Sequence, residues 1–243
     1  MKIIWLDTID STNSEALRTL SSLEGGTVLA AFEQTAGRGQ RGNRWFVQPG
    51  KNLTFSVVLK FEEGQFPVAW SFRLNILCPL VIARFLRSAG VSAKVKWPND
   101  VYVGRRKICG ILVENVLGSD GVSAAVLGIG LNVNQTDFPE VSGATSVRLL
   151  TGRDLDLNES LEDISGLFEK LLPAVFEDDK WAELFDEYES GLFARGVSAQ
   201  YVDVASGDEF TGVIRGVTEE GRLRMAVGDE IRLYAFKEVS FIL

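Results

Sequence analysis

The chain has 243 residues, with 25 Lys and Arg against 33 Asp and Glu, two cysteines and no histidine. The missing imidazole excludes a Ser-His-Asp triad, a Cys-His pair, an HExxH zinc site and any histidine general base. A net charge of −8 argues against a general nucleic-acid or anionic-membrane binder, which needs a broad basic face.

In chain order, residues 2–6 read as a short strand and 12–22 as a helix, with Thr12-x-x-Glu15 as a capping box ahead of Ala16, Leu17 and Leu20. Residues 27–33 are predicted as a strand, 34–52 as a loop dense in glycine and arginine, and 53–61 as a strand. A long amphipathic helix is expected over about 68–88, kinked or interrupted at Pro79 and ended before Gly90. Short strands at 94–97 and 101–103 flank a Pro98-Asn99-Asp100 turn, and turns at 104–106 and 118–121 separate strands 108–116 and 122–134. Hairpins outnumber strand-helix-strand crossovers, so the sheet should be mixed and mostly antiparallel with helices packed on it, an α+β class.

Residues 158–193 have helical period with a break at Pro173. From Val197 the pattern changes to short β runs at 199–204, 210–215, 222–226 and 231–236, punctuated by Gly207, Gly216, Gly221 and Gly228. That is the spacing of a small barrel. The expected division is a large α+β domain over 1–190 and a small β-barrel over 191–243. No targeting segment is expected, because Asp7 ends the apolar start too early for a signal peptide. The apolar stretch 66–86 carries Arg73, Asn75, Pro79 and Arg84, a poor membrane span. The cytoplasm is the expected compartment.

Four constellations carry chemistry. In Gly37-Arg38-Gly39-Gln40-Arg41-Gly42-Asn43-Arg44, ahead of Trp45, three glycines and three arginines share eight positions. Glycine lets successive N–H groups turn toward an anion, and arginine supplies bidentate phosphate donors. The Gly37-x-Gly39-x-x-Gly42 spacing also matches a dinucleotide fingerprint, but Arg44-Trp45-Phe46-Val47-Gln48-Pro49-Gly50 is no helix start, so that reading fails. A basic surface loop is the plain alternative, and Trp45 is either core packing or a surface for an adenine ring.

Lys96-Trp97-Pro98-Asn99-Asp100 is a turn signature, ahead of Lys107-Ile108-Cys109-Gly110-Ile111-Leu112. Lys107 heads an apolar strand, where a cation either emerges at an exposed end or meets an anion. Gly110 implies close approach of ligand or backbone. Gly128-Ile129-Gly130-Leu131-Asn132 ends a buried-looking strand, as a β-bulge or as a backbone open to a ligand, with Asn132 presenting an amide. Asp10-Ser11-Thr12-Asn13 places a polar cluster at a helix N-terminus able to hold an anion or a urea-like group.

Taken in order, Asp10-Ser11-Thr12-Asn13, Gln34 with the 37–45 loop, Lys96–Asp100, Lys107-x-x-Gly110-Ile111-Leu112 and Gly128-x-Gly130-x-Asn132 closely resemble the biotin protein ligases, or biotin–[biotin carboxyl carrier protein] ligases. The resemblance covers nearly the whole chain. It implies a catalytic domain like that of class II aminoacyl-tRNA synthetases with an SH3-like barrel after it. The implied reaction joins biotin and ATP into biotinyl-5′-AMP, then transfers biotin to a lysine of a carrier domain of acetyl-CoA carboxylase or a related enzyme.

By this resemblance Lys107, Arg38 and Arg41 are the catalytic cations. Ser11, Thr12, Asn13, Gln34, Gly37, Lys107 and Gly110 would hold biotin. Arg38, Gly39, Gln40, Arg41, Gly42, Trp45, Asn99 and Asn132 would hold ATP or the adenylate, with Mg²⁺ near Asp100. Many members carry arginine where this chain has Gln40, which implies a less charged loop and weaker adenylate retention. The first motif begins at Asp10, so a ligase without a helix-turn-helix repressor domain, and without DNA or membrane partners, is expected. A lipoate or octanoate protein ligase is the alternative enzyme, and a non-catalytic nucleotide or acidic-metabolite binder the alternative outside enzymes.

Overall fold

Seven strands form the larger sheet in the computed structural model, which describes residues 1–139 and 143–242 and, of Arg41, the backbone alone. They are β1 (Lys2–Ile9), β2 (Thr27–Gln34), β3 (Leu53–Lys60), β4 (Lys94–Lys96), β5 (Asp100–Val103), β6 (Arg106–Gly118) and β7 (Gly121–Leu131). Their order is β1-β2-β3-β7-β6-β5-β4, with β1 and β2 parallel and the remaining neighbours antiparallel. This is the mixed, mostly antiparallel α+β arrangement that the hairpin turns imply.

Helix α1 (Thr12–Arg18) lies on one face, with Ala16 packed against Leu29, Val58 and Val126. It is shorter than expected, and its cap is Ser11 rather than Thr12: Ser11 Oγ accepts from Ser14 N, while Glu15 pairs with Arg18. Thr12 is drawn off instead by Gln34, whose Oε1 accepts from Thr12 N at 2.8 Å. A tertiary partner thus displaces the local capping box.

Helix α2 (Ser71–Ser88) covers the opposite face, where Leu74, Leu77, Val81 and Phe85 join Phe55, Val57, Leu127 and Ile129 in the main core. The helix runs through Pro79 without ending, because burial on both sides of the proline outweighs the roughly 3 kcal/mol that a mid-helix proline costs. Val68–Ser88 has a mean hydropathy of 1.4, and that apolar surface is spent on the sheet and on α4 (Leu157–Leu171) and α5 (Asp178–Ser190). A 3-10 turn at Leu172–Phe176 makes the break expected at Pro173. A short helix α3 (Val147–Thr151), capped by Ser146 Oγ and ended by Gly152 at φ 74°, is an addition to the expected elements.

The second sheet is the small SH3-like barrel: β8 (Ser198–Asp203), β9 (Glu209–Val217), β10 (Leu223–Val227), β11 (Glu230–Tyr234) and β12 (Val239–Phe241), in the order β11-β10-β9-β8-β12. Tyr201 packs its ring on Phe210 and Phe241 inside it. At three residues, β12 is too short to show a pattern in sequence.

Several contacts fix this unit against the larger sheet. Trp97 Nε1 donates to Gly221 O at 2.9 Å, and the turn that carries Trp97 is itself held to α5, where Tyr188 OH donates to Pro98 O at 2.6 Å. The Phe72 ring occupies the space that a Cβ at Gly221 would need. Glu189 at the end of α5 is buried and accepts from Val217 N at 2.7 Å, from Arg224 at 3.1 Å and from Arg195 at 3.3 Å. Glu189→Ala leaves that amide and both guanidinium groups without their acceptor. The expected cost is about 2–4 kcal/mol, lowering the melting temperature by about 5–10 °C. An unchanged melting curve would show that the clasp contributes nothing.

Candidate active site

The register of three strands builds the floor of the site. Ser56 of β3 pairs with Gly128 of β7, which pairs with Leu112 of β6; in the next row Thr54, Gly130 and Gly110 stand in line. Both rows lie on the face away from α2, and three of these six positions lack a side chain. The result is a cavity of about 370 Å³ whose base adds few side chains of its own, so that Trp45 and Asn13 pack directly on the glycine backbone.

Lys107 reaches this cavity because of an irregularity. Val101 pairs with Cys109 but Tyr102 pairs with Lys107, so Ile108 is an extra residue on β6. This bulge turns Ile108 and Cys109 together into the core and brings Lys107 to the same side as Gly110. Lys107 Nζ then lies 2.7 Å from Asp100 Oδ2 and 5.8 Å from the Trp45 ring centre. Burial pushes the Cys78 and Cys109 thiols up. Both stay protonated core groups, so neither is a nucleophile.

At one end sits a hydrogen-bonding clamp. Gln34 Oε1 accepts from Thr12 N and Thr12 Oγ1, which leaves the donor end of that amide to a ligand. Ser56 Oγ donates to Asn13 Oδ1 at 2.5 Å and stands 2.8 Å from Thr12 Oγ1. Asn13 Nδ2 donates to Leu112 O and Glu114 Oε2. Ser11, Thr12, Asn13 and Gln34 all line the cavity.

The arginine-glycine loop forms a further wall that begins beside the clamp. Gly37 is required there, since a Cβ would come within 2.5 Å of Trp45 O and 3.2 Å of Gln34 Nε2. Arg38, Gly39, Gln40 and Trp45 line the cavity, together with Asn43, Arg44 and Phe46. Gly37 and Gly42 border a neighbouring hollow with Glu114, and the Arg41 side chain lies outside the described residues. The Trp45 indole rests directly on Gly110 and Gly130, where any Cβ would collide with it. Trp45 is therefore a wall of the cavity and not part of the core.

The Lys96–Asp100 run divides its duties. Lys96 is turned to the Phe241 and Tyr102 rings, at 4.5 and 5.5 Å, where burial holds its pKa below the usual lysine value. Asn99 is buried with its amide already engaged: Oδ1 accepts from Gln40 Nε2 at 3.0 Å and Nδ2 donates to Asn75 at 2.8 Å. It braces Gln40 from below the cavity. Only Asp100 of this run faces the cavity. Asn132 also lines it, its Nδ2 donating to Thr145 O and its buried Oδ1 without a partner among the described residues.

Among the described residues Arg38, Arg44 and Lys107 line the cavity with Asp100 as the one carboxylate in its lining and Glu114 paired to Arg38 behind it, inside a chain of net charge −8. Such a wall selects an anionic ligand. Sequence reasoning missed Ser56, Glu114, Phe138 and Ala144. Ser56 and Glu114 sit in ordinary strand patterns, and only cross-strand register places them at the site.

A model of the biotin/lipoate A/B protein ligase family matches residues 5–134. The chain is 30% identical over 240 residues to the bifunctional ligase/repressor BirA of Escherichia coli (strain K12), spanning 97% of this chain and 72% of that protein. It is 38% identical over 167 residues to a biotin–[acetyl-CoA-carboxylase] ligase of Paracoccus denitrificans, 65% of this chain and 68% of that one. Its fold is similar to the biotin protein ligase from Aquifex aeolicus solved in complex with biotin and ATP, with TM-score 0.79 and 28% identity over 98% and 97% of the two chains.

Proposed function

Because the chain belongs to the biotin/lipoate A/B protein ligase family, we infer that this cavity is the active site of an ATP-dependent ligase that joins biotin to a lysine of an acceptor protein. The observation that carries the reading is the placement of Lys107, an ammonium beside Gly110 and the Trp45 ring in the same cavity that the hydrogen-bonding clamp lines. The ureido ring of biotin offers a carbonyl and two N–H groups, which the mixed donors and acceptors of Ser11, Thr12, Asn13 and Gln34 suit. Biotin's carboxylate then points along the glycine floor toward Lys107.

In the first half-reaction a carboxylate oxygen of biotin bonds to the α-phosphorus of ATP. The bond from that phosphorus to the bridging oxygen breaks, and pyrophosphate leaves with the electron pair. Two anions must approach each other, so the barrier falls chiefly through fixed cations and alignment. Lys107 supplies charge between carboxylate and α-phosphate, with Arg38 and Arg41 of the loop over the phosphates. Gly39, Gln40 and Gly42 shape the loop there, with the Gly39 N–H given to Asn43 O and the Gln40 amide to Asn99 and Ile111 O. Trp45 and Asn132 border the adenylate, and Asn99 holds Gln40 in place. In the second half-reaction an acceptor lysine amine attacks the acyl carbon and AMP leaves. The acyl-adenylate is already activated, so no histidine is needed.

Magnesium suits this site as an ion carried mainly by the nucleotide's phosphates. Among the described residues no three carboxylates or thiols cluster, and Asp100 is the one carboxylate at the cavity; Mg²⁺ is commonly held by one or two carboxylates plus substrate phosphates. Bound there it would neutralise triphosphate charge. We assign catalysis to residues 1–190 and the small domain to 191–243, the acceptor to a biotin carboxyl carrier domain of acetyl-CoA carboxylase or a related enzyme, and the setting to the cytoplasm.

The test is transfer of labelled biotin to such a carrier domain with ATP and Mg²⁺, with lipoate and octanoate in parallel. Transfer of lipoate or octanoate in place of biotin overturns the substrate assignment, and nucleotide binding without any transfer overturns the enzyme. Ser56→Ala, which removes the hydroxyl that orients Asn13 and Thr12, should raise the KM for biotin about tenfold with little effect on that for ATP. Steady-state kinetics in each substrate check this.

A further inference from the structure

Glu114 stands outside the residues that the sequence motifs single out, yet both halves of the site hold it. Its Oε2 accepts from Asn13 Nδ2 at 2.9 Å, and its Oε1 accepts from Arg38 Nη2 at 2.7 Å. Arg38 Nη1 also donates to Ser14 Oγ at 3.3 Å. Asn13 belongs to the clamp and Arg38 to the loop, so one carboxylate joins the biotin end to the phosphate end. The Glu114 side chain is only 24% exposed, while that of Arg38 is 43% exposed. The carboxylate is therefore anchored, and the guanidinium is the partner free to move.

Of the five N–H donors of Arg38, one on Nη2 goes to Glu114 and one on Nη1 to Ser14. While Glu114 and Ser14 hold these donors, Arg38 is drawn against β6 and its charge is partly offset. An incoming phosphate competes with that carboxylate for the same N–H groups. Resting on the ligase reading, we propose that Glu114 is a positioning residue that parks Arg38 in the empty site and surrenders it to the nucleotide. Its charge then sets the apparent affinity for ATP, since a parked arginine reduces the binding-competent fraction. The bond to Asn13 keeps the carboxylate aimed at Arg38 during the exchange.

Glu114→Gln separates the two duties, because the amide oxygen still accepts from Asn13 while the negative charge facing Arg38 is lost. In the full chain this variant should lower the KM for ATP by about two- to fivefold and leave the KM for biotin within about twofold. Without ligands, trypsin should cleave the 38–44 loop faster in the variant than in the wild type, and ATP with biotin should restore protection. Arg38→Lys keeps the charge but not the fork, and should show the same faster cleavage at Arg41 and Arg44 without ligands. Glu114→Ala removes the acceptor from Asn13 too and should raise the KM for biotin.

An unchanged or raised KM for ATP in Glu114→Gln, with wild-type trypsin rates in both loop variants, overturns the proposal. If the wild type forms no pyrophosphate with biotin, the ligase reading fails instead. The trypsin comparison then still decides whether Glu114 holds the loop.

Discussion

Lys107→Ala should lower biotin-dependent pyrophosphate formation by about 10²–10³-fold, with the loss in kcat more than in KM for either substrate. The side chain stands beside Gly110 of the floor, Asp100 and the Trp45 ring of the loop. Charge accumulates there only as carboxylate and α-phosphate close on each other. A cation that acts at that moment stabilises the transition state more than either ground state. The fold should survive, because Lys107 and Asp100 are both more than a quarter exposed and water can solvate the carboxylate left behind. Lys107→Arg should rescue little, since a planar fork cannot replace a point charge beside the Trp45 ring. Circular dichroism with initial-rate kinetics checks both variants. Near-normal turnover in Lys107→Ala removes this residue from the mechanism.

Gly128→Ala is expected to raise the KM for biotin by about 10–100-fold and to destabilise the fold by about 1–3 kcal/mol. A Cβ at residue 128 would land on the Asn13 amide, which Ser56, Leu112 and Glu114 hold from three sides. Asn13 can yield only by giving up those bonds, and overpacking of this kind costs about 1–3 kcal/mol. Helix α1 fixes the Asn13 backbone, so the strain falls on the clamp. Gly26, at φ 85° with open space around it, makes a useful contrast: there alanine would strain the backbone and leave ligand binding alone. Calorimetric titration with biotin separates the two. Wild-type affinity in Gly128→Ala would show that the clamp tolerates displacement.

Much of this site is legible in the sequence alone. Spaced glycines with an out-of-place lysine point to backbone exposed to an anion, and strands β6 and β7 bring Gly110 and Gly130 into one row. The hairpin turns are legible for the same reason, since glycine marks them locally. The features that escape a sequence reading depend on register. The bulge at Ile108 that rotates Lys107 into the cavity leaves no local signature. Ser56 and Glu114 look like ordinary strand residues until β3, β7 and β6 are aligned side by side. The capping box at Thr12 is a local rule overruled by Gln34, 22 positions away. Asn99 resembles a ligand contact because its motif is polar, whereas its amide is consumed by Gln40 and Asn75.

The central claim, a carboxylate-activating site built around Lys107, is tested most directly by isotope exchange between pyrophosphate and ATP without any carrier protein. Exchange should require biotin and Mg²⁺, fail with lipoate or octanoate in place of biotin, and vanish in Lys107→Ala. Exchange that proceeds without biotin, or that persists in Lys107→Ala, would contradict it.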